Sequence, residues 1–343
     1  MKMTAAVLEA FGQPLQLIEL KIPKLKRGQV LVKIAYSAIC RSQLMEINGF
    51  RGHDQWLPHL LGHEASGVVV DVGAEVKKVK AGDEVILTWI KSSGIEADTP
   101  KYSHSGRAIN AGPITTFSTH SIVSENRVVL KPTGLGLDVA VLFGCALATG
   151  SGMALNEIQP SESDLILVLG LGGIGTGALL TLLALGHKNI YAADKDDAKC
   201  AFAQSLGVNV IKFTSETEFL TLLGSRVPRG FDYCIEAGGS ARTIELGFET
   251  LNPTSGTLLF ASHPPSDERI QLKPHDLISG KNIKGSWGGA IEPDNDMVRL
   301  SKLFKDSNTP LEWLTQNKFE LQQINRAMDL FSTGSIFRPI LVM

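Results

Sequence analysis

The sequence predicts an α/β protein in two parts, a β-rich barrel-like region and a doubly wound parallel sheet. Three observations predict it. Short strand-like apolar runs fill the chain to about residue 148, strands and helices alternate from about residue 150, and a glycine-rich turn opens the alternating part. A length of 343 residues exceeds what one hydrophobic core usually serves, which also points to two domains.

The first part contains the runs AAVLEA, QVLVKIAYSAI, ASGVVVDVG, DEVILTWI, FSTHSIVS and RVVLKP, separated by turns such as KRGQ and KAGD. Residues 91–113, KSSGIEADTPKYSHSGRAINAGP, lack periodicity and are rich in Gly, Ser and Pro, so they read as an irregular surface loop. The second part runs DLILVLG (strand), GIGTGALLTLLALG (helix), NIYAAD (strand) and DDAKCAFAQSLG (helix). VNVIKF, FDYCIEAGG and GTLLFAS follow as strands with helical pieces between. The last stretch gives two helices and a closing strand, PILVM. Residues 165–186 are uncharged and long enough to span a bilayer, but their clustered glycines and preceding strand-like run favour a buried strand and helix.

Composition narrows the function classes. Hydrophobic residues make up 43% and charged residues 20% of a chain with net charge −2, so disorder, nucleic-acid binding and anionic membranes have no support. The N-terminus carries no signal-peptide pattern, and four cysteines at 40, 145, 200 and 234 do not form a secreted disulfide framework. A cytoplasmic protein is expected.

LGLGGIG places Gly170, Gly172 and Gly175 in G-x-G-x-x-G spacing, with Gly173 and Ile174 inside the turn. The motif follows a strand and opens a helix, and Asp194 ends the next strand about 20 residues on, the dinucleotide-binding context. Gly170 permits the tight turn, Gly172 lets backbone approach the pyrophosphate, and Gly175 allows close helix–strand packing. Asp194 would accept from the ribose hydroxyls and repel a 2′-phosphate, favouring NAD over NADP. Lys199, one helical turn on, either reaches that ribose or lies on a solvated face.

Cys40 precedes the next cysteine by more than a hundred residues, Cys145 stands just before the glycine-rich part, and His63 with Glu64 sits in LLGHEASG. A Cys–His–Cys catalytic zinc site and two buried thiols with a satisfied histidine both remain open on residue type and separation alone.

CRS, GHEASGVVVDVGAEVKKVKAGDEV, GCALATG, GLGGIG, IKGSWGG and GSIFRPIL occur in this order. In these segments the chain resembles the zinc-dependent medium-chain dehydrogenase/reductase family, the alcohol and polyol dehydrogenases, nearly end to end. The resemblance implies a GroES-like β-barrel catalytic domain from residues 1–149 and 287–343. A Rossmann domain, 150–286, would be inserted between them, with the active site in the interdomain cleft. It implies one catalytic zinc on Cys40, His63 and Cys145, with Glu64 as an alternate fourth ligand or a neighbour that assists exchange. Ser42 would take the substrate hydroxyl proton, its plainer reading being a helix N-cap. Arg41 and Arg338 match pyrophosphate contacts, and Thr149 the nicotinamide position. Trp89, Phe117 and Trp287 match positions that line the substrate pocket, or are plain core. Relatives assemble as homodimers or homotetramers.

The chain departs from the family pattern at two places. A histidine that extends the proton relay in some relatives is Met45 here, and the loop that carries four structural-zinc cysteines in many relatives, 91–113, has none. No structural zinc is therefore expected. Cys200 and Cys234 read as packing thiols, and His59, between Pro58 and Gly62, as a bystander. The expected activity is hydride transfer between NAD and an alcohol, polyol or sugar hydroxyl. Arg51 and His53 are placed to favour a polar or anionic substrate group. The competing readings are a zinc-free enoyl or quinone reductase, which would lack these ligands, and a non-catalytic cofactor-binding protein.

Overall fold

A computed structural model describes residues 1–343 as two compact units. The first comprises Met1–Cys145, Glu292–Lys302 and Pro310–Met343, and the second Ala146–Ile291 and Leu303–Thr309.

The first unit is built around the long strand Gln29–Ala38. One edge pairs antiparallel with Glu64–Val72. The other edge is shared, with Gln29–Lys33 facing His120–Ser124 and Tyr36–Ala38 facing Ile340–Val342. The sheet continues through Glu84–Thr88 and Val128–Leu130 on one side and Lys318–Glu320 on the other. A second sheet orders Gln16–Lys21, Lys2–Leu8 and His59–Leu60. Alternate residues of these strands, such as Val30, Val32 and Ile34, pack inward on Ala65, Val85 and Leu87. The C-terminal strand thus completes a sheet begun by the N-terminal residues.

The second unit is a six-stranded parallel sheet in the order Asn209–Lys212, Ile190–Asp194, Ile166–Leu169, Tyr233–Glu236, Thr257–Phe260, Asn282–Gly285. Along Ile166–Leu169 the side chains alternate between two cores. Ile166 and Val168 pack with Leu179 and Leu182, and Leu167 and Leu169 with Phe219 and Ile244. Both faces are therefore buried, as parallel sheets require. The strand order reverses between Ile166–Leu169 and Tyr233–Glu236, the crevice where doubly wound sheets bind ligands.

The segment 165–186 is the strand Ile166–Leu169 followed by the helix Gly173–Ala184, and no single helix is long and apolar enough to cross a membrane. The loop 91–113 is not wholly irregular, because Tyr102–His104 and Arg107–Ile109 form a hairpin across Ser105 and Gly106, both at positive φ. Strands of three residues are too short to show a period.

Candidate metal centre and cofactor loop

Sheet pairing assembles the candidate site in the first unit. The strand Gln29–Ala38 delivers Cys40 just past its end, while its partner strand begins at Glu64, with Ser37 opposite Ala65. Gly62, at φ +90°, makes the turn before His63; a Cβ there would lie 2.4 Å from Thr116 Oγ1. Ser37 Oγ donates to the Glu64 carbonyl at 3.0 Å and fixes that turn to the strand. Cys145 arrives by a close approach, since a Cβ on Gly144 would fall 2.7 Å from Glu64 Cβ. Arg338 is brought alongside by the C-terminal strand, where Ile39 N–H donates to the Pro339 carbonyl at 2.9 Å.

The donor atoms of Cys40, His63, Glu64 and Cys145 all lie within 4.8 Å of one another. His63 Nε2 stands 3.2 Å from Cys145 Sγ, so Nε2 is the ring nitrogen that faces the thiols. A hydrogen bond from Cys145 holds the Cys40 thiol well below its usual range against the effect of burial, and Cys145 moves well above it. His63, which burial alone would lower, is raised by its hydrogen bond to Cys40. The two thiols oppose each other's ionisation, and a divalent cation would allow both to ionise. Ser42 Oγ and Glu64 Oε1 are buried without a nitrogen or oxygen partner. Two thiolates and an imidazole with a carboxylate beside them suit zinc, so the residues fit the group.

Glu64 is fully buried, and Arg338 Nη2 donates to Glu64 Oε2 at 2.5 Å. Burial pushes the Glu64 carboxyl up to about 7 even with that guanidinium opposing it. Arg338, placed at a pyrophosphate by resemblance, is thus committed here to Glu64. Ser42 is not an N-cap. Cys40 occupies that position for the helix Arg41–Ile47, and Ser42 lies within its first turn. Arg41, the first helical residue, is exposed. Trp89 is half-buried, and Phe117 is 1% exposed in the core with Leu8 and Leu61.

Two groups escaped the sequence reading. Gln43 Oε1 accepts from Cys40 N–H at 3.0 Å while its Nε2 meets His63 Nδ1 at 2.5 Å. Its spacing three residues after the N-cap is the available signal. His59 stands apart from the first donor group with partners of its own: its Nε2 lies 3.0 Å from Asp54 Oδ2 and 3.9 Å from Glu46 Oε1, a second group of possible cation donors. Glu46 and Asp54 line a cavity of about 200 Å³ with Phe11, Arg51, His53 and Trp56.

In the second unit the glycine loop has its expected form. Gly170 has φ +89°, and a Cβ there would strike the backbone of Ala237 and Gly238. A Cβ on Gly175 would sit 1.8 Å from the Gly170 carbonyl oxygen, while one on Gly172 would meet nothing within 4 Å. Gly172 is the N-cap of Gly173–Ala184, so free N–H groups face that open space, which suits a pyrophosphate. Asp194 braces the loop, since its Oδ2 accepts from Leu171 N–H at 2.6 Å and its Oδ1 from Asp196 N–H at 2.9 Å. Lys199 lies 3.8 Å from Asp196. Thr149 Oγ1 is buried without a partner, and Trp287 is 72% exposed against the edge of His263. Cys200 and Cys234 are buried free thiols.

Residues 26–133 match the family model of the alcohol dehydrogenase GroES-like domain, and residues 173–306 that of the zinc-binding dehydrogenases. The chain belongs to the zinc-dependent medium-chain dehydrogenase/reductase family. It is accordingly an oxidoreductase of the zinc-binding alcohol dehydrogenase type. Its fold is shared with solved structures across their whole length. An alcohol dehydrogenase zinc-binding domain protein from Burkholderia ambifaria is 24% identical at TM-score 0.91, covering 100% of this chain and 99% of that one. Benzyl alcohol dehydrogenase from Acinetobacter calcoaceticus is 23% identical at TM-score 0.88, with the same 100% and 99% coverage. An alcohol dehydrogenase from E. coli CFT073, complexed with NADH, is 22% identical at TM-score 0.81, again covering 100% and 99%.

Proposed function

We propose that this family member oxidises an alcohol, polyol or sugar hydroxyl with NAD, and reduces the carbonyl in reverse, at a zinc site of Cys40, His63 and Cys145. The observation that carries the reading is the convergence of those donors with Glu64 within 4.8 Å. Zinc, when bound, supplies Lewis acidity that makes a hydroxyl proton easier to lose. Cys40 and Cys145 hold the metal as thiolates and His63 holds it through Nε2. Ser42 Oγ takes the substrate proton; beside the Cys40 thiol it has no nitrogen or oxygen partner, which leaves it available for that exchange. Glu64, anchored by Arg338, assists exchange of ligands.

Gly170, Gly172, Gly173, Ile174 and Gly175 cradle the pyrophosphate, and Arg41 is its cationic partner, Arg338 being engaged by Glu64. Asp194 selects NAD over NADP, with Lys199 beside the ribose. Thr149 serves the nicotinamide and Trp89 the substrate, Phe117 being core. Residues 1–149 and 287–343 act as the catalytic domain and 150–286 as the dinucleotide domain, in a cytoplasmic homodimer or homotetramer.

One zinc per chain is the reading, with no structural zinc, the Glu46–Asp54–His59 group being held together by the His59–Asp54 hydrogen bond and the Arg51–Glu46 ion pair. Zinc analysis should give one equivalent per chain, lost on Cys145→Ser and kept on His59→Ala. A second equivalent lost on His59→Ala would overturn the count. The activity itself is tested by following NAD reduction over a panel of simple alcohols, linear polyols, cyclitols and sugars. Turnover that disappears with Cys145→Ser supports the reading, and silence across the panel in zinc-loaded protein refutes this substrate class.

A further inference from the structure

The amide of Gln43 is fixed in orientation by its own contacts. Cys40 N–H can only donate, so the Gln43 atom 3.0 Å from it is the carbonyl oxygen. The amide nitrogen is thereby turned to His63 Nδ1, at 2.5 Å. An NH₂ group has only hydrogens to offer, so this arrangement is satisfied when Nδ1 is bare and the ring proton sits on Nε2. Nε2 is the nitrogen facing the thiols, 3.2 Å from Cys145 Sγ. Ligation through Nε2 requires the opposite tautomer, with the proton on Nδ1 and an acceptor behind it. Gln43 offers that acceptor only by rotating its amide, which turns its NH₂ onto Cys40 N–H and opens the first turn of Arg41–Ile47. A carboxylate of the same length would accept from both donors at once.

We propose that Gln43 is a positioning residue that sets the His63 tautomer and thereby loosens the hold of this chain on zinc, making the metal exchangeable. The inference rests on the assignment of zinc to Cys40, His63 and Cys145. It is tested by chelator competition on the full chain, wild type against Gln43→Glu, together with ¹⁵N NMR of His63 in the metal-free proteins. Gln43→Glu should tighten zinc binding by about tenfold or more, the scale on which the groups that orient a ligating imidazole act. With the ring neutral, the metal-free wild type should carry its single proton on Nε2, and the Glu variant on Nδ1. Gln43→Met, which removes the opposing NH₂, should release zinc no faster than wild type. Equal or weaker zinc affinity in the Glu variant, or an Nδ1 proton on the neutral ring of the metal-free wild type, overturns the inference. Failure of wild type and variants alike to bind zinc would instead sink the metal assignment, and the NMR result would still decide the role of Gln43.

Discussion

At the scale of single residues, the costliest side chains in the first unit are Glu64 and Arg338, 0% and 5% exposed. Arg338 adopts φ +46°, a left-handed backbone that disfavours any side chain with a Cβ. Such strain persists when surrounding contacts over-determine it, and the ion pair at 2.5 Å is one such contact. Arg338→Ala should destabilise the protein by about 1–3 kcal/mol, because Glu64 then takes up a proton and is left buried without its hydrogen-bond partner. Denaturant unfolding measures this, and a loss under 1 kcal/mol would mean that water reaches Glu64. Ser42 belongs to the same scale with the opposite consequence. Ser42→Ala should leave stability near wild type, since the only partner of its Oγ is the Cys40 thiol, a weak hydrogen-bonding group. Its kcat should nevertheless fall about 10²-fold or more, the scale of a positioned proton acceptor. Unchanged kcat would remove Ser42 from the proton path.

At the scale of elements, the loop 91–113, which contains no cysteine, is tied to the rest of its unit by a buried carboxylate. Glu125 accepts three backbone N–H groups, from Lys77 at 2.7 Å, Lys78 at 2.9 Å and Ile95 at 2.8 Å. Gly94, at φ +111°, permits the approach, since a Cβ would lie 2.8 Å from Glu125 Cγ. Ser93 and Lys78 then converge on Asp294. Burial would raise Glu125, but the N–H groups of Ile95, Lys77 and Lys78 hold it below the usual carboxylate range. A carboxylate depressed on folding adds stability above its unfolded pKa of about 4.3, lost as pH falls through the folded value. Glu125→Gln should therefore cost about 2–3 kcal/mol at pH 7, on the scale of charge-assisted hydrogen bonds. It should also flatten the decline in stability below about pH 4.3. A parallel acid profile in variant and wild type would assign the clamp to shape rather than charge. This clamp is illegible in sequence, because Lys77, Ile95 and Glu125 share no period and only the folded loop joins them. By contrast, Ile166–Leu169 and Gly173–Ala184 are legible, because a buried strand and a glycine turn leave a continuous apolar run with fixed punctuation. The ligands Cys40, His63 and Cys145 stand between these cases. Their residue types are visible, but their meeting depends on the strand pairing of Ser37 with Ala65 and the close approach at Gly144.

At the scale of the molecule, the two chemistries belong to separately packed units. All four candidate metal donors lie in Met1–Cys145, and Arg338, which anchors Glu64, returns just before the last strand of the same unit. The glycine loop, Asp194 and the parallel sheet lie entirely within Ala146–Ile291. Zinc joins residues that are far apart in sequence, so binding it stabilises only the fold that brings them together. Stripping the metal with a chelator should therefore lower Tm, and the shift should shrink as free zinc falls toward its dissociation constant. The nucleotide loop draws no residue from the metal site, because Leu171 N–H and Asp194 fix it locally. NADH affinity, followed by nucleotide fluorescence, should then stay within about twofold after zinc removal while turnover disappears, twofold being less than 0.5 kcal/mol. A proportionate loss of NADH binding would mean instead that the metal orders the dinucleotide unit. The reciprocal variant, Gly172→Val, places a branched side chain in the open space before Gly173–Ala184. It should abolish NADH binding and leave zinc content at one per chain, separating the two halves of the activity in a single pair of measurements.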